Sequence, residues 1–403
     1  MKLVKTSTRA LFAMVLAGAT SPSTAQTDYP EGFDLGPSSV PAELSEVTEA
    51  RKEASFKGLT FPSLDEYGLS LGADYNVLYQ RVSDSPGDDL AAGGVARLYG
   101  IWTPLNQGSP DAGKFVFKAE HRHRLATDLA PSELLPTSGV AGISGPTFSD
   151  KGMVLTNFYW KEAFADNRFA VIAGVIDVAD YADVYGLTNV WTEFNNLAFS
   201  TNPTMPVPAQ GLGAAVRWNL TPRYYAVGSI ADANGDPHDP GDFFHSFFGV
   251  AEYFKHIEFG RIGSWENRSA DNLHITLWEV DAREQAGIGK DQGVALSWSL
   301  PFDKWLPFLR GGYADHGVAV LKKTVSAGTG YTLNGRGDYV GIGVNWGRAA
   351  DSDIDQYTIE TYYRPQIFKR LQITPSAQYI IDPAYSSSQD SLWLFAFRMR
   401  ATF

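Results

Sequence analysis

The chain of 403 residues has no cysteine, carries charge on only 19% of its residues and lacks any apolar run long enough to cross a bilayer as a helix. Each shortage removes a class of protein. Without cysteine no disulfide can staple the fold, so stability rests on packing and hydrogen bonding. A helical span needs roughly 18 to 20 consecutive apolar residues, whereas the best stretch, residues 11–19 (LFAMVLAGA), has nine. At 44% hydrophobic the chain is too apolar for disorder, so its apolar side chains must be dispersed. Aromatic residues are what it has in excess: 24 Phe, 19 Tyr and 10 Trp.

The short apolar stretch follows Lys2, Lys5 and Arg9 and precedes the small residues Ser23, Thr24 and Ala25, the pattern of a secretory signal cleaved after Ala25. Removing residues 1–25 takes away those three cations and no acid, so the net charge of −12 becomes −15. Such an acidic exported chain is not built to bind nucleic acid. Residues 26–63 form a polar lead with Pro30, Pro37 and Pro41 and one helical stretch, residues 43–57.

From residue 64 to the end the pattern has period two, which sends successive side chains to opposite faces of a strand. In residues 114–125, Lys114, Val116, Lys118, Glu120, Arg122 and Arg124 share one face, while Phe115, Phe117, Ala119, His121, His123 and Leu125 share the other. The last segment puts Trp393, Phe395, Phe397, Met399, Ala401 and Phe403 against Arg398, Arg400 and Thr402. Counting such segments predicts sixteen strands, at 66–82, 91–104, 114–126, 150–162, 168–177, 209–219, 223–232, 245–264, 272–281, 291–300, 304–314, 319–331, 337–347, 354–364, 371–381 and 391–403. Tight connections such as 164–167, 220–222, 301–304 and 333–336 alternate with long ones such as 126–149 and 178–208.

An even number of strands joined alternately by short and long connections is the organisation of an antiparallel transmembrane β-barrel. In hydrocarbon every backbone amide must be hydrogen-bonded, and a closed barrel achieves this without a free edge. The polar faces carry too much charge to be buried in a soluble sandwich. The fold expected is therefore all-β, a barrel of about 16 strands over residues 64–403. Trp160, Trp218, Trp298 and Trp393, near strand ends, fit interfacial aromatic girdles.

Six blocks in order also resemble a family: residues 272–279 (NLHITLWE), 305–312 (WLPFLRGG), 338–346 (DYVGIGVNW), 356–364 (QYTIETYYR), 373–383 (ITPSAQYIIDP) and 397–403 (FRMRATF). Together they are similar to the carbohydrate-selective, OprB-like porins of Gram-negative outer membranes. The resemblance implies a sixteen-stranded passive sugar channel without cofactor. It implies that residues 178–208 correspond in position to the inward-folded constriction loop of porins, and that the terminal Phe403 is read by the barrel insertion machinery. Outer-membrane lipid and lipopolysaccharide would surround the barrel, as a monomer or a homotrimer.

A sixteen-stranded barrel is wide enough for an aqueous channel, so something must narrow it. Asp177 and the 178–208 connection offer Asp180, Asp183, Trp191, Glu193, Phe194, Asn195 and Asn196, which provide hydrogen bonds for sugar hydroxyls and apolar contact for sugar C–H faces. Strand phase points Arg97, Arg122, Arg124, Arg217, Arg398 and Arg400 into the lumen opposite them. A field between acidic loop and basic wall would favour polar neutral solutes, provided binding stays weak enough for release. Trp191 could instead wedge the loop against the wall, and the arginines could serve only ion-pair ladders. The His121-x-His123 pair lies on the Phe115 and Phe117 face, expected toward lipid, and gives no metal signal. No G-x-S-x-G elbow or completed G-x-G-x-x-G supports catalysis. The rival readings are a general or cation-preferring porin, suggested by the acidic charge, and an outer-membrane barrel lipase or protease, for which no clustered Ser or Asp/His pair can be assembled. Deleting Phe403 should lower the yield of heat-modifiable barrel in outer-membrane fractions. A normal yield would contradict a role for this residue in assembly.

Overall fold

In the computed structural model the described residues are 64–403, except 65, 265–266, 335–337, 366, 368–369 and 387. The signal at 1–25 and the helical stretch at 43–57 lie outside them. Sixteen strands run in chain order: β1 (Leu69–Val82), β2 (Leu90–Leu105), β3 (Gly113–Arg124), β4 (Gly152–Phe164), β5 (Phe169–Ile176), β6 (Gly211–Asn219), β7 (Tyr224–Asp232), β8 (Tyr253–Ile262), β9 (Asn272–Val280), β10 (Asp291–Ser299), β11 (Trp305–Ala314), β12 (Lys323–Thr332), β13 (Tyr339–Arg348), β14 (Gln356–Arg364), β15 (Leu371–Ile381) and β16 (Ser391–Thr402). Each pairs antiparallel with its sequence neighbours, and β1 pairs with β16, from Asp74 opposite Thr402 to Val82 opposite Leu394. The ring is closed. No edge of the completed sheet is left for hydrocarbon to meet.

Alternation translates directly into inside and outside. On β9, Asn272, His274, Thr276 and Trp278 are buried toward the lumen, while Ile275 and Leu277 are exposed on the outer wall. On β16, Arg398, Arg400 and Thr402 turn inward and Trp393, Phe395 and Phe397 outward. The outer face is consequently apolar and the inner one polar. Trp102, Trp218, Tyr224 and Trp305 lie exposed near the end with the tight turns, whereas Tyr79, Tyr357 and Trp393 lie exposed near the opposite end. These are two aromatic rims. Long connections mark the outer side of the membrane and short turns the periplasmic side.

Charges driven inward must find one another. Asp74 on β1 is the clearest case: Nε of Arg97 on β2 donates to it at 2.6 Å, and Nε of Arg400 on β16 at 3.2 Å. All three side chains are buried. The carboxylate thus joins the first, second and last strands across the seam where the barrel closes. On β3, Arg122 donates to Glu120 at 2.8 Å.

Two segments depart from the expected strands. Residues 245–250, expected to open the eighth strand, form helical turns over Phe243–His245 and Ser246–Val250. Here Phe243 and Ser246 are buried three residues apart, so helical spacing rather than alternation sets the local conformation. Residues 319–322 stay out of β12, because Ala319 and Leu321 both pack inward and the Leu321 N–H donates to the Pro203 carbonyl at 2.9 Å.

Removing the shared seam carboxylate should be costly. Asp74→Ala is expected to destabilise the barrel by about 3–5 kcal/mol, the usual loss when one partner of a buried ion pair is deleted. Guanidinium unfolding of the refolded protein checks this, and an unchanged midpoint would show that the seam does not depend on Asp74.

Candidate functional site

The chain leaves the wall after Ile176. Gly174, two residues earlier, has φ +139°, and a Cβ there would lie 2.4 Å from the Phe158 carbonyl oxygen of β4, so only glycine fits at this point of β5. Residues 177–210 then run inside the barrel before rejoining it at Gly211. The expected inward loop is present, and Asp183 and Glu193 are among its anchors.

Asp183 is held by Arg310 on β11, by the Ser297 hydroxyl on β10 at 2.6 Å and by His274 Nε2 on β9 at 2.9 Å. Its own N–H donates to Glu258 on β8 at 2.8 Å. Burial would raise the Asp183 carboxyl, but Arg310, His274 and Ser297 outweigh it and hold the group well below the usual carboxylate range. The anchor therefore stays charged throughout the physiological range.

Farther along, Glu193 accepts from Arg364 on β14 at 2.7 Å and from the Tyr362 hydroxyl. Glu360 accepts the backbone N–H groups of Asn195 and Asn196 at 2.7 and 2.9 Å. Arg398 on β16 donates to the Val190 and Glu193 carbonyls and to the Asn195 side chain at 2.6–2.8 Å. Phe194 packs with Tyr185, Phe199, Phe308, Tyr339 and Tyr362 in an aromatic cluster inside the barrel. Trp191 lies between Phe148 and Arg97, whose guanidinium sits 3.9 Å from an indole ring centre. The loop is thus fastened around the wall from β8 to β16, and polar and aromatic contacts alternate along it.

A second connection, residues 125–151, also folds inward, although the sequence marked it only as a long external loop. Its helix α1 (Pro131–Thr137) packs on β1 and β2. Gln356 brackets Ala141 with two hydrogen bonds of 3.0 and 3.1 Å, and Gln80 and Gln378 both donate to the Ser144 hydroxyl. Ser144 forms an isolated bridge with Asn196, which joins the two loops. Together they fill the lumen beside β13 to β2.

A cavity of about 470 Å³ remains on the other side, between β3 and the loops. Lys118, Glu120 and Arg122 line it from β3, Asp177 and Asp180 from the inner loop, and Arg283 from the β9–β10 connection. Lys118 Nζ is 3.6 Å from Asp180, which also accepts from Asn157 at 3.1 Å. Asp177 caps the 3₁₀ turn Val178–Asp180 and accepts from Gln210 at 2.6 Å. Trp191, Met205 and Val207 supply apolar surface.

Of the expected site residues, Asp177, Asp180, Trp191 and Arg122 meet at this opening. Asp183, Glu193, Phe194, Arg97 and Arg398 fasten the loop or the wall instead. Two positions depart from the expected constriction. Arg124, at the end of β3, pairs with Asp150 at 2.6 Å and with the Asp128 carbonyl in a half-exposed rim position, because the strand ends there and its side chain reaches past the lumen. Arg217 lies near the periplasmic end of β6 and donates to the Asn167 side chain in the β4–β5 turn at 2.5 Å. Lys118, Glu120, Arg283 and the anchor Glu360 were missed as site residues. Strand phase already put Lys118 and Glu120 on the charged face of β3, but nothing in the sequence told which part of that face the opening would use. His121 lies exposed on the outer wall, and His123 bonds the Tyr75 hydroxyl at 2.9 Å. The Phe403 N–H donates to the Ala73 carbonyl at 3.0 Å, at the seam.

Sixteen strands, an inward loop after β5 and a residual opening of this size are the parts of a porin, and comparison decides which kind. The model of the carbohydrate-selective porin family, OprB, matches residues 106–274 and 279–403. The chain belongs to that family. It is a Gram-negative outer-membrane channel for carbohydrate diffusion. No curated protein sequence matches it. The high-pH structure of Pseudomonas putida OprB superposes with a TM-score of 0.68 at 15% identity, covering 85% of this chain and 96% of that one. The low-pH structure of the same porin gives 0.51 at 13% identity, covering 86% and 99%. An engineered Rh. blastica porin gives 0.53 at 14% identity, covering 83% and 100%. These likenesses confirm the fold.

If Asp183 fastens the loop, its replacement should free it. Asp183→Asn is expected to cost about 3–5 kcal/mol at this contact, since the Arg310 guanidinium loses its carboxylate. Single-channel conductance should rise and fluctuate, and a quiet, unchanged conductance would show that the loop is held elsewhere.

Proposed function

We propose that carbohydrates cross this porin through the opening between β3 and the inner loop, and that the opening selects neutral polar solutes over ions. The observation that carries this is charge balance. Among the described residues, Glu120, Asp177 and Asp180 line the cavity against Lys118, Arg122 and Arg283, three carboxylates against three cations. A lumen built for cations would hold an acidic excess, as the whole chain does.

A sugar hydroxyl both donates and accepts, so it can bridge a carboxylate and a cation without a net charge of its own. Carboxylates of the loop accept hydrogen bonds from its hydroxyls while Lys118 and Arg122 donate to its oxygens. Trp191, Met205 and Val207 meet the C–H faces. Because Lys118, Glu120, Arg122, Asp177 and Asp180 already have partners in the wall or loop, a solute displaces bonds of similar strength there and is not trapped. Exchange of this kind favours passage over retention. Around the channel, outer-membrane lipid covers the aromatic rims, and Phe403 at the seam is where the insertion machinery would engage.

Neutralising the loop side should break the balance. In planar bilayers, Asp177→Asn combined with Asp180→Asn is expected to shift the reversal potential toward anion preference and to reduce the current block produced by added oligosaccharides. Unchanged reversal potential and sugar block would move the route away from this opening. In liposome swelling, neutral sugars should enter faster than sugar acids or amino sugars of equal size, and equal rates would contradict selection by balanced charge.

A further inference from the structure

Strand β5 is the shortest of the sixteen, with 8 residues against 13 in β4 beside it, whereas β6 and β7 have 9 each, as β9, β10 and β14 do. The inner loop takes the chain out of the sheet between Ile176 and Gly211. A tilted crossing strand needs about 9–11 residues, so the wall at β5 falls short of the outer interface.

The β7–β8 connection, residues 233–252, covers the gap. Its Pro237 carbonyl accepts the Leu155 N–H of β4 at 3.0 Å, which satisfies part of the edge left when β5 turns inward. Its helical turns, Phe243–His245 and Ser246–Val250, pack against β6 and β7 and end at Ala251, which has φ 60°. These turns are two-faced. Phe243 and Ser246 are buried against the barrel, whereas Phe244 and Phe248 are 70% and 68% exposed. The Phe244 and Phe248 rings stack at 6.2 Å, and the Phe247 ring meets Phe248 edge-on at 4.9 Å. Residues three and four apart share a helical face, so the three rings make one apolar surface.

That surface continues the lipid-facing wall. Phe247 lies edge-on to Tyr253 at 5.1 Å, and the Tyr253 hydroxyl donates to the Phe247 carbonyl at 2.9 Å. Tyr253 is the first outward residue of β8, in the same column as Ile257 and Phe259, both exposed to lipid. Between them Lys255 points outward with its charge paired to Glu279 and Asp281 at 2.9 and 2.8 Å. Aromatic side chains at the outer end of such a wall occupy the position of an interfacial belt.

We propose that Phe244, Phe247 and Phe248 complete the wall beside the short strand β5 and insert into the outer-leaflet interface, where lipopolysaccharide covers them. The face is a lipid-binding site carried on a loop. It rests on the outer-membrane placement of the barrel and is independent of the sugar route.

Because the chain has no cysteine, Phe248→Cys gives a unique attachment point for a nitroxide in the full-length protein. The labelled porin is reconstituted in vesicles of phosphatidylethanolamine and lipopolysaccharide, and spin relaxation by oxygen and by a water-soluble nickel chelate is compared with labels at Phe259→Cys, on the lipid-facing wall, and Ala286→Cys, in an exposed loop. The expected result is oxygen access and nickel shielding at 248 close to those at 259. Nickel access equal to that at 286 would overturn the proposal. So would spin–spin broadening at 248 that disappears on dilution with unlabelled porin, which would place a second copy of the chain on this face. Neutral-sugar swelling should match the unlabelled protein in every case, since Phe248 lies outside the opening. A change in sugar flux would thus count against the proposed route and not against the lipid site.

Discussion

Hydrocarbon offers no partner to a backbone amide, and the rest of this molecule follows from that constraint. The sheet must close, so β1 meets β16 and every strand has two neighbours. Closure divides the side chains by parity. Apolar residues take the outer positions, and the charged ones have only the interior. Charges confined together in a space of low dielectric then either pair or destabilise the fold. Asp74 with Arg97 and Arg400 is what this requirement produces at the seam.

The same requirement builds the constriction. A loop rich in carboxylates and amides enters a lumen lined with cations and amides, and each anchor satisfies a wall group that would otherwise face the interior alone. Asp183 meets Arg310 and His274, Glu193 meets Arg364, and the carboxylate of Glu360 receives two loop N–H groups. The charge that holds the loop is therefore consumed at the anchors. What remains at the cavity is balanced, and on the proposed route a balanced opening discriminates by hydrogen bonding and shape rather than by net charge.

Parity was legible in the sequence because it needs only the identity of every second residue. Residues 391–403 and 356–364 read correctly as two-faced strands from their aromatics and arginines, and so did the inward course of 178–208 once the family resemblance was drawn. Depth and direction were not legible. Arg124 and Arg122 share a face, yet one reaches the rim and the other the opening, since height along a strand is set by where the partner strands end. Asp180 and Asp183 are three residues apart, yet one lines the opening and the other is a buried anchor, because a 3₁₀ turn lies between β5 and the rest of the loop. The inward turn of residues 125–151 left no mark, as its bonds to Gln80, Gln356 and Gln378 join positions far apart in the chain.

The central claim is that solutes pass between β3 and the inner loop. Val207 lines that opening and the chain has no native thiol, so Val207→Cys can be modified selectively by a bulky thiol reagent while current is recorded across a planar bilayer. The expected result is a stepwise and lasting loss of most of the current in each channel, with parallel loss of sugar entry into vesicles. Full current and sugar entry after complete modification would contradict the claim.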